Sequence, residues 1–127
     1  MTKPLPPHLQ TGRDGEDAAC AFLRGKGYAV VERNVRVGKG ELDVVARHRG
    51  QTVFVEVKTR GRRDYGAPAE MVTPGKARRM LSAARAYAAE RGRSGESFRF
   101  DVVGVMRNAD GTFGCELFAD VLDVRDG

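Results

Sequence analysis

The chain has 127 residues, 41% of them hydrophobic and 31% charged, with a formal net charge of +5. That composition excludes a low-complexity or fibrous chain and fits one globular domain, long enough to bury roughly two-thirds of its unfolded surface. The basic surplus is mostly arginine and favours a polyanionic partner, because each cation set against a phosphate releases condensed counterions.

Residues 1–11 hold Pro4, Pro6 and Pro7 and read as a flexible arm, with no apolar run that would make a signal peptide. Residues 12–127 read as one folded domain. A first helix is expected from Asp14, as its cap, to about Arg24, with Gly25 and Gly27 stopping it. Its buried stripe would be Ala19, Cys20, Phe22 and Leu23, with Glu16 on the inward edge near the positive end of the helix. Three strand-like runs follow, at 28–37, 41–47 and 52–59, with turns at Gly38-Lys39-Gly40 and Arg49-Gly50-Gln51. Residues 60–72 read as a loop rich in glycine and arginine.

A second helix is expected from Thr73 as cap, with Pro74 in its first turn, to about Glu90. Ala77, Met80, Leu81, Ala84 and Ala88 would form its apolar stripe. Strands at 98–106 and within 112–121 complete the order α-β-β-β-α-β-β, an α/β or α+β fold with helices flanking a sheet. Cys20 and Cys115 lie far apart and form no CxxC pair, so neither a disulfide framework nor a zinc site is expected. With no apolar stretch of membrane-spanning length, the expectation is a cytoplasmic protein without membrane association.

The run Gly40-Glu41-Leu42-Asp43-Val44-Val45 followed by Phe54-Val55-Glu56-Val57-Lys58 carries the chemistry. Strand side chains alternate faces, which puts Glu41 with Asp43 and Glu56 with Lys58. Leu42, Val44 and Ala46 would line a core with Val53, Val55 and Val57. Paired as a hairpin, the two runs can bring acids and lysine to one sheet edge. Two carboxylates and an amine on rigid strands suit a hard divalent cation beside a phosphate, and so a metal-dependent phosphodiester-cutting enzyme. Glu41 competes with Asp43 for the ligand role; Asp43 is preferred because it lies deeper in its strand. Glu16 has two readings, a third acid at the site or a first-turn acid complementing the helix dipole.

Arg60, Arg62 and Arg63 directly follow the second strand of this pair and read as a clamp on a nucleic-acid backbone, with Lys76, Arg79 and Arg85 on the second helix as further cations. Tyr65 could stack on a base, whereas Tyr87 reads as packing. The two histidines, His8 and His48, leave little material for zinc or triad chemistry, and no Walker-type run is present.

Asp43 followed by Glu56-Val57-Lys58, with Glu16 on a preceding helix, resembles the active-site pattern of the PD-(D/E)xK nuclease superfamily. Gly15-Glu16-Asp17-Ala18-Ala19, Arg33-Asn34, Gly40-Glu41-Leu42-Asp43 and Val55-Glu56-Val57-Lys58-Thr59-Arg60 are similar, more closely, to the YraN-type family of small bacterial proteins. The likeness runs from about Gly12 to Val105, and Leu42 stands where the superfamily pattern has proline. It implies a restriction-endonuclease-like mixed sheet flanked by helices, and DNA hydrolysis, extending to branched DNA and a homodimer. Asp43 and Glu56 would bind magnesium or manganese with the Val57 carbonyl as a further ligand, and Glu16 would contribute through water. Lys58 would be an electrostatic anchor for nucleophile and phosphate. The competing reading is a non-catalytic nucleic-acid-binding module of the same fold; a third is a protein-interaction domain with a basic face.

Overall fold

The computed structural model describes residues 7–60 and 72–122, with backbone alone for 7–13 and 60. The elements are α1 (Pro7–Gly25), β1 (Ala29–Val37), β2 (Gly40–His48), β3 (Gln51–Arg60), α2 (Pro74–Glu90), β4 (Phe98–Arg107) and β5 (Phe113–Phe118). This is the expected α-β-β-β-α-β-β order. The strands form a single five-stranded mixed sheet in the order β1-β2-β3-β4-β5. β1, β2 and β3 make an antiparallel meander, β4 runs parallel to β3, and β5 returns antiparallel to β4.

The turns follow from residues that tolerate positive φ. Arg49 (φ 52°) and Gly50 (φ 77°) form the two-residue β2–β3 connection, the pair of left-handed positions that matches the twist of a hairpin. At the end of α1, Gly27 (φ 90°) passes its N–H to the Arg24 carbonyl, while the Tyr28 N–H reaches the Leu23 carbonyl at 3.0 Å. These are the two bonds of a Schellman stop, and Tyr28 and Leu23 accompany it in the same core cluster.

One helix covers each face of the sheet. Ala19, Cys20 and Leu23 of α1 pack with Tyr28, Val44, Ala46, Val53, Val55, Val103 and Val105. Met80, Ala83, Ala84 and Tyr87 of α2 pack on the other face with Leu42, Val45, Phe54 and Phe100. Burial on both faces is why the central strands read as nearly unbroken apolar runs.

Three expectations need correction. α1 begins at Pro7, ahead of Asp14 and inside the span read as an arm, because proline is well placed in a first turn where its missing N–H is no loss. Glu16 is therefore mid-helix, and its reading as a first-turn dipole acid falls away. The buried stripe of α2 is rotated toward Ala83 and Tyr87, leaving Ala77, Leu81 and Ala88 half-buried. Tyr87 is drawn in by an edge-on contact with Phe54, ring centroids 5.5 Å apart. Leu42 joins the α2 cluster while Val44 joins the α1 cluster, so the expected shared face of Leu42, Val44 and Ala46 breaks at Asp43.

The ends of β2 and β4 near His48 and Phe98 hold a separate polar knot. Asp101 is fully buried. It accepts from the Tyr28 hydroxyl (2.6 Å), from Arg99 Nε and Nη2 (2.9 Å each) and from the Asp120 N–H (2.9 Å). Arg99 Nη2 also lies 3.2 Å from His48 Nδ1, and His48 stacks on Tyr28 at 4.1 Å. Arg99 lies on the same strand as this buried carboxylate, but Tyr28 precedes β1 and Asp120 follows β5, so it ties the start of β1 and the end of β5 to β4.

Candidate functional site

The break at Asp43 has a cause in the strand register. β2 and β3 pair from His48↔Gln51 to Val44↔Val55 and then part, while β2 stays on β1 to Gly40 and β3 stays on β4 to Arg60. Past Val55 the β3 backbone loses its β2 partner. Asp43 supplies a replacement: its Oδ2 accepts the Val57 N–H at 2.9 Å. A side-chain carboxylate thus closes a ladder that the backbone has left.

Asp43 and Glu56 flank this fork and line one hollow of about 10 Å³ with Glu41, Leu42, Phe54, Val55, Met80 and Phe100. That is about the space of one water-sized sphere. Burial pushes the Asp43 carboxyl up to about 6, and the nearby charge of Glu56 adds to the rise. The Val57 N–H works the other way, and Glu16 and Glu41 contribute smaller upward effects. Glu41 is exposed, whereas Asp43 is half-buried.

Glu56 Oε1 faces two ammonium groups, Lys76 Nζ at 2.7 Å and Lys58 Nζ at 3.8 Å. The closer one comes from the first turn of α2, where Thr73 caps the helix by accepting the Lys76 N–H. Lys76 was read as a nucleic-acid cation, and in the structure its side chain is committed to Glu56, only 17% exposed. Sequence spacing gave no sign of this pair, because twenty residues separate the partners and only the packing of α2 on the sheet joins them.

α1 reaches the site because Gly15 is buried against β3; a Cβ there would stand 2.5 Å from Thr59 Oγ1. The close approach brings Glu16 to the cluster, but as an oriented neighbour. Its Oε1 accepts from Arg33 Nε (3.0 Å) and Asn34 Nδ2 (2.9 Å), with Asn34 held at φ 53°. Asn is among the few residues that take that left-handed conformation easily. Arg33 also bonds Asp17 at 2.6 Å. Both Arg33 and Asn34 were visible in the sequence as a motif, without a role.

The structure thus brings Asp43, Glu56 and Lys58 together, adds Lys76, and sets Glu16 beside them. Among the described residues no group of three or more His, Cys, Asp or Glu side chains is arranged to hold a metal ion. Arg79 is exposed on α2. Arg62 and Arg63, and the Tyr65 loop, lie outside the described residues, as does the Arg60 side chain. No described helix is long and apolar enough to cross a membrane.

Fold and site together define a helix–sheet–helix domain whose mixed sheet forks around a carboxylate pair countered by two lysines. The chain belongs to the uncharacterised protein family UPF0102, which matches residues 15–105. It is 46% identical over 108 residues to a UPF0102 protein of Symbiobacterium thermophilum, covering 85% of this chain and 92% of that one. Over 102 residues it is 47% identical to a UPF0102 protein of Syntrophotalea carbinolica, covering 80% of this chain and 83% of that one. Among solved structures, it aligns with Pyrococcus furiosus SfsA in complex with Ca2+ at 14% identity and a TM-score of 0.41, over 92% of this chain and 65% of that one. So loose a likeness carries no argument about the site.

Proposed function

We propose that the chain is a metal-dependent nuclease that hydrolyses phosphodiester bonds in DNA. The observation that carries this reading is the fork between β2 and β3, where Asp43 and Glu56 share one water-sized hollow with lysine ammonium groups beside them. Burial first, and the charge of Glu56 second, raise the Asp43 carboxyl, and groups perturbed by burial together with a charged neighbour cluster at functional sites.

The donor set fits magnesium or manganese. These hard cations take oxygen ligands and commonly use one or two carboxylates, completing their shell with water and substrate phosphate. Asp43, Glu56 and the Val57 carbonyl would hold the ion; when bound, it supplies an activated water and neutralises charge growing on the phosphate. Asp43, with its carboxyl at about 6, is mostly ionised at neutral pH and available as a ligand. The Val57 N–H fixes its rotamer, which preorganises the site. Lys58 places a positive charge beside the position of the scissile phosphate, where it anchors nucleophile and phosphate. Glu16, oriented by Arg33 and Asn34, adds negative charge behind the pair.

The test is to incubate the protein with single-stranded, duplex and branched DNA plus manganese, alongside Asp43→Asn and Lys58→Ala. Cleavage by the wild type that is lost in both variants is expected; cleavage surviving in both removes the assignment. The same fold serving only to bind nucleic acid is favoured by one observation, the engagement of Glu56 by Lys76 at 2.7 Å. On that reading calorimetry detects no manganese binding that depends on Asp43 and Glu56.

A further inference from the structure

The carboxylate cluster leaves a second group of cations unexplained. Lys39, from the turn between β1 and β2, lines a groove of about 350 Å³ together with Arg78, Arg79 and Ser82 of α2, beside Gly40, Gly75 and Ala83. Among the described residues no carboxylate lines it. Lys39, Arg78 and Arg79 are exposed, and none of them makes an ion pair with a described residue.

The two arginines are placed unusually for neighbours on a helix, whose side chains ordinarily leave in different directions. Both reach back one turn, toward the helix start, as long helical side chains do. They meet over Gly75: the point a Cβ would occupy there lies 3.7 Å from Arg79 Nη1 and 3.9 Å from Arg78 Nη2. Both guanidinium groups thus hang over one spot at the start of the helix. Like charges gathered without an acid between them complement an anion, and guanidinium forks match phosphate oxygens in geometry as well as charge.

The groove adjoins the carboxylate pair. Gly40 precedes Glu41, and Ala83 lies one helical turn from Met80, while Glu41 and Met80 both line the Asp43–Glu56 hollow. Gly75 is next to Lys76, whose ammonium sits on Glu56. We infer that this groove is a docking site for the sugar–phosphate backbone of DNA, holding phosphates a short way along the strand from the one presented to Asp43 and Glu56. The inference deepens the nuclease reading and rests on it. Lys39, Arg78 and Arg79 contact phosphate oxygens, with the Ser82 hydroxyl as a further donor, so the contacts fix position along the strand without reading sequence.

The experiment measures fluorescence anisotropy of a short labelled DNA duplex with protein carrying Asp43→Asn, in EDTA and across a salt series. Into it are introduced either Lys39→Ala, Arg78→Ala and Arg79→Ala together, or a charge-matched control of Arg24→Ala, Lys26→Ala and Arg49→Ala. All six side chains are exposed, so both sets are expected to fold, and circular dichroism checks it. Each phosphate contact contributes about 0.9 to the slope of log affinity against log salt. The groove set is expected to lower that slope by about 2 to 3 and to weaken low-salt binding at least tenfold (~10-fold), with a much smaller loss in the control. Equal losses in the two sets overturn the groove; if the wild type meanwhile cuts DNA and Asp43→Asn does not, the nuclease reading stands without it. If the wild type neither binds nor cuts DNA, both fall together.

Discussion

Replacing Asp43 by asparagine is expected to make the protein more stable at neutral pH while removing the proposed nuclease activity. The Asp43 carboxyl is raised from 3.8 to about 6, chiefly by burial and then by the charge of Glu56. The folded state therefore binds this proton more tightly than the unfolded chain does, so ionisation weakens the fold. The penalty is absent below about pH 4, grows between the unfolded and folded values, and is complete above about pH 6. At about 1.4 kcal/mol per pKa unit, a shift of about two units corresponds to about 3 kcal/mol, reduced toward 1–2 kcal/mol by the solvent that reaches a half-buried group. The amide oxygen introduced by Asp43→Asn can still accept the Val57 N–H, so the fork keeps its closing bond while losing the charge. For a domain of this length the gain is roughly 5–10 °C in Tm at pH 8. Thermal unfolding in EDTA at pH 8 and at pH 4 checks it: the advantage of the variant should be largest at pH 8 and shrink toward pH 4. A variant no more stable than the wild type at pH 8, or one whose advantage does not change with pH, refutes the account of a strained carboxylate pair.

Two further outcomes test the framework around the site by urea denaturation. Tyr28→Phe removes one donor from the fully buried Asp101 and should cost about 1–3 kcal/mol, whereas Asp101→Ala leaves Arg99 without its buried counter-charge and should cost about 3–5 kcal/mol. Equal stability of wild type and Tyr28→Phe would contradict the knot described above. Gly15→Ala puts a methyl 2.5 Å from Thr59 Oγ1 and should cost about 1–3 kcal/mol by pushing α1 off β3. Thr59→Ala in the same chain should recover most of that loss, and no recovery would mean the close approach is not at Thr59.

Much of the architecture is carried by local signals. Thr73-Pro74 at the start of α2, the Gly25 and Gly27 stop of α1 and the Arg49-Gly50 turn each fix backbone geometry from a few adjacent residues, so the element order could be read directly. The start of α1 could not: Asp14 offers a good cap, and only the helix itself shows that the turns before it continue to Pro7.

The site divides in the same way. Asp43, Glu56 and Lys58 are legible because they stand on two adjacent strands joined by a two-residue turn, where strand periodicity alone says which residues approach. The parity break at Asp43 is invisible to that periodicity, since it arises where β3 leaves β2 to stay with β4, a strand more than forty residues on in the chain. Lys76 on Glu56, Arg33 and Asn34 on Glu16, and the two arginines over Gly75 likewise depend on how helices settle against the sheet. Residue order determined the strands, the helices and the acids on them. Long-range packing decided which charges those acids would face, because side-chain partners brought together by two helices on opposite faces leave no periodic trace in the chain.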